Sequence, residues 1–204
     1  MTTQCRVGVL VSGNGSNLQA ILEAAAQPHY PAEVVVVISN VPGVRALERA
    51  RVHKIDAVTI RHEDYPDRTS FEDALCDTLA KRNVQLVALA GFMRILSPHF
   101  IRRYPQRILN IHPALLPAFP GTHAIGQAWD HGVKVTGVTV HFVDEGTDTG
   151  PIVLQEAIPV RGCRTIQELE ERIHSVEHHL YPEAIRLFAE GRLSVKKRKV
   201  EEKI

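Results

Sequence analysis

Short apolar runs alternate with segments of helical period through the first half of this chain, and that alternation constrains its fold more than any other feature. The runs are Arg6–Val11, Val34–Ile38, Ala57–Ile60 and Val84–Ala90. The helical segments start with the pattern Leu18, Ile21, Leu22, Ala25 and continue over Val44–His53 and Ser70–Lys81. Runs apolar at nearly every residue have no face to spare for water, which is the condition of strands in a parallel sheet covered by helices. A length of 204 residues supports one such domain. The expectation is a single α/β domain with a twisted, mostly parallel sheet flanked by helices and a Rossmann-like N-terminal half. A domain of residues 1–193 and a flexible basic tail of residues 194–204 complete the division.

The charge balance narrows the partners. A net charge of +1 gives no electrostatic ground for nucleic acid or an anionic membrane. Three cysteines without metal-type spacing suit a reducing, cytoplasmic setting. No basic stretch followed by an apolar run opens the chain, and no apolar run reaches about 18 residues.

Between the first strand and the first helix lies Ser12-Gly-Asn-Gly-Ser-Asn-Leu18. A Gly-rich strand-to-helix turn gathers free backbone N–H groups and the positive end of a helix dipole, an arrangement suited to phosphate. Leu18 stands where a dinucleotide fingerprint wants a third glycine, and the second strand ends in Ser39-Asn40 rather than an acid. The Gly-Lys-Ser/Thr of a P-loop is also missing. A monophosphate site remains, alongside a tight turn without a ligand.

The second informative stretch is Arg107-Ile-Leu-Asn-Ile-His-Pro-Ala-Leu-Leu-Pro117. Asn110 and His112 interrupt an apolar strand at a spacing of two, so both side chains share one face. Pro113 stops the ladder and leaves the pair at the strand's C-terminal end, where open α/β sheets bind ligands. An amide donor beside an imidazole suits the holding of charge on a carbonyl oxygen while a proton moves. A satisfied buried Asn with a strand-end His fits the same residues.

Elsewhere the signals are weaker. Gly91–Leu96 is an apolar loop with one arginine, fit to floor a pocket or to tuck against the core. Val135–Val143 is strongly β, and His141 alternates within it. Asp144–Pro151 is acidic and Gly-rich but lacks the pattern of an EF-hand. In the last helix, Ile166–Glu190, His174-Ser-Val-Glu177-His178 has the form of a zinc-peptidase motif without an evident third ligand. A helix face with Glu177 reaching a ligand hydroxyl fits it too. The run Val195–Val200 is similar to a nuclear-localisation patch, and equally to a solvated charged tail.

Taken together, Ser12–Leu18, Ala90–Leu96, Asn110–Pro117 and Asp148-Thr-Gly-Pro151 resemble the glycinamide ribonucleotide formyltransferase family, in the family's order and spacing over residues 6–193. Asn-x-His-Pro with a later Asp is shared with formyltetrahydrofolate hydrolase and methionyl-tRNA formyltransferase, and the opening Ser-Gly-Asn-Gly-Ser-Asn selects the ribonucleotide enzyme. Ala114 departs from the pattern, where Ser is common. The resemblance implies the formyltransferase fold and transfer of a formyl group from the co-substrate 10-formyltetrahydrofolate to the amine of glycinamide ribonucleotide, without a metal. It implies a catalytic set of Asn110, His112 and Asp148. It assigns the nucleotide phosphate to Gly15, Ser16 and Asn17, and the ribose to Glu177. The folate side takes Arg68, Met93, Arg94, Ile95 and Leu96 with Asp144, Glu145, Gly146 and Thr147. The family also tends to a cis proline at Leu116-Pro117. Small molecules are the implied partners, with a homodimer left open. A formyl-folate hydrolase and a non-catalytic binder of phosphorylated ligands stand beside this reading.

Overall fold

The computed structural model describes residues 4–203. The chain divides into two compact units, residues 1–109 and 110–204.

In the first unit, β1 (Cys5–Val11), β2 (Ala32–Ser39), β3 (Asp56–Thr59) and β4 (Leu86–Leu89) lie in the order β3-β2-β1-β4. Every pairing among them is parallel. This is the 3-2-1-4 order of a Rossmann-like half. Three helices return the chain between them: α1 (Ser16–Ala25), α2 (Arg45–Val52) and α3 (Arg68–Ala80). Gly8 explains how closely α3 approaches, since a Cβ there would lie 2.4 Å from the Leu79 side chain. Helix α3 starts two residues before the expected Ser70 because Asp67 caps it, accepting from the Ser70 N–H at 2.8 Å. A further short helix, α4 (Pro98–Arg103), follows β4 and begins with proline at its first turn.

Strand β5 (Ile108–His112) contains the boundary between the units. The second unit continues with α5 (Ala124–Asp130), β6 (Val135–Phe142), β7 (Ile152–Pro159), α6 (Ile166–Ala189), β8 (Leu193–Lys196) and β9 (Lys199–Glu202), its strands ordered β5-β6-β7-β9-β8. β6 and β7 are antiparallel, whereas β7 and β9 are parallel. Helix α6 packs on β6, β7 and α5. Its start is a reciprocal cap: Thr165 accepts from the Glu168 N–H at 3.3 Å, and Glu168 accepts from the Arg164 N–H at 2.8 Å.

The α/β class and the mostly parallel, helix-flanked sheet are as the sequence predicts. The flexible tail expected at 194–204 needs correction: most of it is the antiparallel hairpin β8–β9. Of the charges that read as a solvated run, Lys196 pairs across the hairpin with Glu201 at 2.6 Å, and Glu202 pairs with Arg192 just before β8. Arg198 in its turn donates to the Thr149 carbonyl at 2.8 Å.

Candidate active site

Strand β5 delivers Asn110 and His112 to the same cluster, as their spacing predicts. His112 is 4% exposed. Its Nε2–H donates to the Phe119 carbonyl at 2.8 Å, and its Nδ1 lies 3.4 Å from Asp148 Oδ2. A carbonyl only accepts, so the Nε2 proton is fixed by its partner. Phe119 holds φ at 51°, a left-handed conformation that costs a bulky residue about 1–2 kcal/mol. That conformation accompanies the carbonyl's aim at the imidazole.

The Asn110 amide is oriented by its neighbours. Asp148 can only accept, so the amide nitrogen faces it, donating to Oδ1 at 3.4 Å. The same nitrogen lies 3.2 Å from His141 Nε2. His141 spends its Nδ1–H on the Phe142 carbonyl at 2.9 Å, which leaves Nε2 free to accept from Asn110. His141 is 2% exposed and 3.6 Å from Asp148 Oδ1. The sequence marks it only as an alternating residue of a strand. Its signal is a histidine near the C-terminal end of a strongly β segment, the position that His112 also holds in its strand.

Asp148 is the hub. It sits at φ 53° and accepts from the Gly121 N–H at 2.8 Å through Oδ2. Burial pushes its carboxyl up. The His141 contact, the Gly121 N–H and the nearby His112 together outweigh burial, and Asp148 ends below the ordinary carboxylate range.

Two devices hold the segments that carry these groups. The turn after β5 contains a cis Leu116-Pro117 bond, as the resemblance implies. The Thr139 hydroxyl donates to the Ala114 carbonyl at 2.6 Å and accepts from the Leu116 N–H at 3.1 Å. Gln155 donates to the Leu116 carbonyl at 2.9 Å. On the other side, Gly150 lets the loop after β6 close on its strand, because a Cβ there would lie 1.7 Å from the Phe142 carbonyl oxygen. Within that loop Asp144 accepts from the Gly146 N–H at 3.1 Å and from the Thr149 hydroxyl at 2.6 Å; Glu145, Gly146 and Thr147 are exposed.

The remaining predicted residues of the second unit lie on α6. Glu177 is 4% exposed, and His174 Nδ1 lies 2.8 Å from its Oε2. The contact with Glu177, partly offset by burial, raises the His174 pKa. The His174 and His178 rings stack 6.3 Å apart. Among the described residues no group of three or more His, Cys, Asp and Glu could hold a metal ion.

In the first unit, Gly15 caps α1 at φ 73°, and a Cβ there would lie 2.7 Å from the Ala46 Cβ. No side chain caps this helix and no acid occupies its first turn, so the positive end of its dipole lies at Ser16 uncompensated by a carboxylate of that turn. The loop after β4 combines both readings of its sequence. Phe92 and Leu96 are buried, whereas Met93 and Ile95 are each 70% exposed with Arg94 exposed between them. Arg68 is exposed at the start of α3 and donates to the Ile95 carbonyl. No helix among the described residues is long and apolar enough to cross a membrane.

Comparison with known proteins adds the following. Residues 5–185 match the formyl transferase family. A glycinamide ribonucleotide transformylase from Symbiobacterium toebii superposes with a TM-score of 0.97 at 50% identity, over 100% of this chain and 96% of that one. Phosphoribosylglycinamide formyltransferase of Bacillus subtilis is 41% identical over 89% of this chain and 93% of its own length. The trifunctional purine biosynthetic protein adenosine-3 of Bos taurus is 46% identical over 92% of this chain and 19% of its own length. The chain thus spans under a fifth of the length of that trifunctional relative.

Proposed function

The chain belongs to the formyl transferase family, and from that premise we propose that it is a phosphoribosylglycinamide formyltransferase of purine biosynthesis. Its formyl donor is 10-formyltetrahydrofolate, its acceptor is the amine of glycinamide ribonucleotide, and its setting is cytoplasmic. What carries the reading is the cluster in which Asp148 touches both Asn110 and His112.

The substrate amine is the nucleophile. Its nitrogen attacks the formyl carbon, and the carbonyl oxygen takes up the electron pair as an oxyanion. Collapse breaks the bond to the folate nitrogen, which leaves with a proton equivalent to the one the amine loses. Asn110 supplies an amide N–H to the oxyanion. Its contact with Asp148, at 3.4 Å, is the looser of its two and is the one exchanged for substrate. His112 takes the amine's proton at Nδ1, the nitrogen not committed to Phe119, donates from there to the oxyanion and passes the proton to the folate nitrogen, while Asp148 holds the imidazole in register. None of these steps needs a thiol: burial pushes the Cys5 and Cys76 thiols up to about 11. Gly15, Ser16 and Asn17 take the phosphate and Glu177 the ribose. Arg68, Met93, Arg94, Ile95 and Leu96, with residues 144–147, take the folate.

The test is consumption of 10-formyltetrahydrofolate with and without glycinamide ribonucleotide. Turnover that depends on the acceptor supports the transferase. Equal turnover in its absence assigns a hydrolase, and none in either case assigns a binding protein.

A further inference from the structure

Glu72 is a carboxylate that the mechanism does not use, and it is 1% exposed in the middle of α3. Both its oxygens are occupied. Oε1 accepts from the Ser97 N–H at 2.7 Å and from Arg68 Nε–H at 3.2 Å, and Oε2 accepts from the Ser97 hydroxyl. Ser97 is the residue immediately before α4, where the loop after β4 ends. Arg68 spans from Glu72 to the Ile95 carbonyl of that same loop. One buried carboxylate therefore holds the loop's C-terminal end directly and its middle through a guanidinium.

The front of the loop is held separately. The Ser12 hydroxyl accepts from the Met93 N–H at 2.8 Å and donates to Asn40 Oδ1 at 2.5 Å, and the Ser12 N–H donates to the Gly91 carbonyl at 3.0 Å. Phe92 and Leu96 plug into the core on either side of Met93, Arg94 and Ile95. The result is a three-residue ledge whose side chains face outward while its backbone is fixed at both ends. Stability alone does not call for a charge at position 72. Arg68 is half-exposed, so its ion pair with Glu72 adds little stability, and what the arrangement supplies is a fixed direction for the guanidinium and the loop.

We propose that Glu72 is a positioning residue for the formyl-folate co-substrate. It sets the Arg68 guanidinium and the Met93–Ile95 ledge in the geometry that receives the folate, and it does so without touching substrate. The proposal rests on the folate reading above. Glu72→Gln keeps the size and one acceptor but removes the charge that orients Arg68, and it leaves the ribonucleotide turn and the Asp148 cluster intact. The expected result is a KM for 10-formyltetrahydrofolate raised about tenfold, with kcat and the KM for glycinamide ribonucleotide within about twofold of the parent. In an Arg68→Ala background the same change should add only the share carried through Ser97, about threefold, because its route through Arg68 is gone.

Calorimetric binding of tetrahydrofolate gives a readout independent of turnover, and Glu72→Gln should weaken it by a similar factor. If the parent binds tetrahydrofolate but transfers no formyl group, the functional reading fails and the binding comparison still decides the role of Glu72. An unchanged folate KM and affinity would overturn the proposal, as would equal losses in both KM values and kcat. Should Glu72→Gln fail to fold, Ser97→Ala decides: a folate KM raised about threefold supports the proposal, and no change overturns it.

Discussion

The Gly-rich turn of residues 12–17 and the Asn110–His141–Asp148 cluster are built on opposite principles. The turn presents the positive end of an uncapped helix, and its defining residue, Gly15, is chosen for what it lacks. The cluster is made of side chains, His112 and His141 buried and Asn110 and Asp148 half-buried, each of which answers to a neighbour. Backbone can bind a phosphate with little help from elsewhere. Moving a proton while an oxyanion forms needs donors whose direction is fixed beforehand, and that takes a supporting network. The contrast predicts that damage to the cluster appears in kcat and damage to the turn in substrate affinity and stability.

The sharpest way to break that contrast is Asn110→Ala. It removes an oxyanion donor and should lower kcat by about 10²–10³, with ribonucleotide affinity retained by calorimetry. Next comes Asp148→Asn, which removes the carboxylate that lies between His112 and His141 and should lower kcat by about 10²-fold. The same variant carries a pH signature. The Asp148 carboxyl lies below its ordinary value of 3.8 in the folded protein. Its ionised form therefore stabilises the fold above that pH, and the contribution is lost as pH falls through the lower folded value. The stability difference between parent and variant, measured by urea unfolding, should be constant near neutrality and shrink below about pH 4.

Gly15→Ala tests the other side. A Cβ would meet Ala46 at 2.7 Å in a left-handed backbone, so the variant should lose about 1–3 kcal/mol. For a chain of this size that lowers Tm by roughly 2–12 °C. The KM for ribonucleotide should rise while kcat changes less than in the cluster variants. The smallest effect belongs to Arg198→Ala, which cuts the hairpin's hydrogen bond to the Thr149 carbonyl. A rise of about twofold in the KM for formyl-folate is expected. A fall in kcat comparable to that of Asp148→Asn would mean that the hairpin governs the chemistry.

How much of this was legible in the sequence follows the same divide. Local patterns sufficed for the four parallel strands of the first unit, the Gly15 turn and the shared face of Asn110 and His112. Residues that act through distant partners were less visible. His141 lies 31 positions from Asn110, and nothing near it in sequence announces the contact. Glu72 reads as an ordinary helix residue until Ser97, 25 positions away, closes on it. Helix α4 spans only six residues, too few for a period to show. The β8–β9 hairpin escaped for another reason. Its apolar content is confined to Leu193, Val195 and Val200, and cross-strand charge pairing is invisible in a linear run of lysines.

The account depends most on His112 and Asp148 acting as one unit. The direct measurement is a double-mutant cycle on kcat with His112→Ala and Asp148→Asn. If Asp148 serves by holding His112 in register, the double variant should turn over within about threefold of His112→Ala alone. Losses that multiply across the two substitutions would show that the groups work independently and would contradict the account.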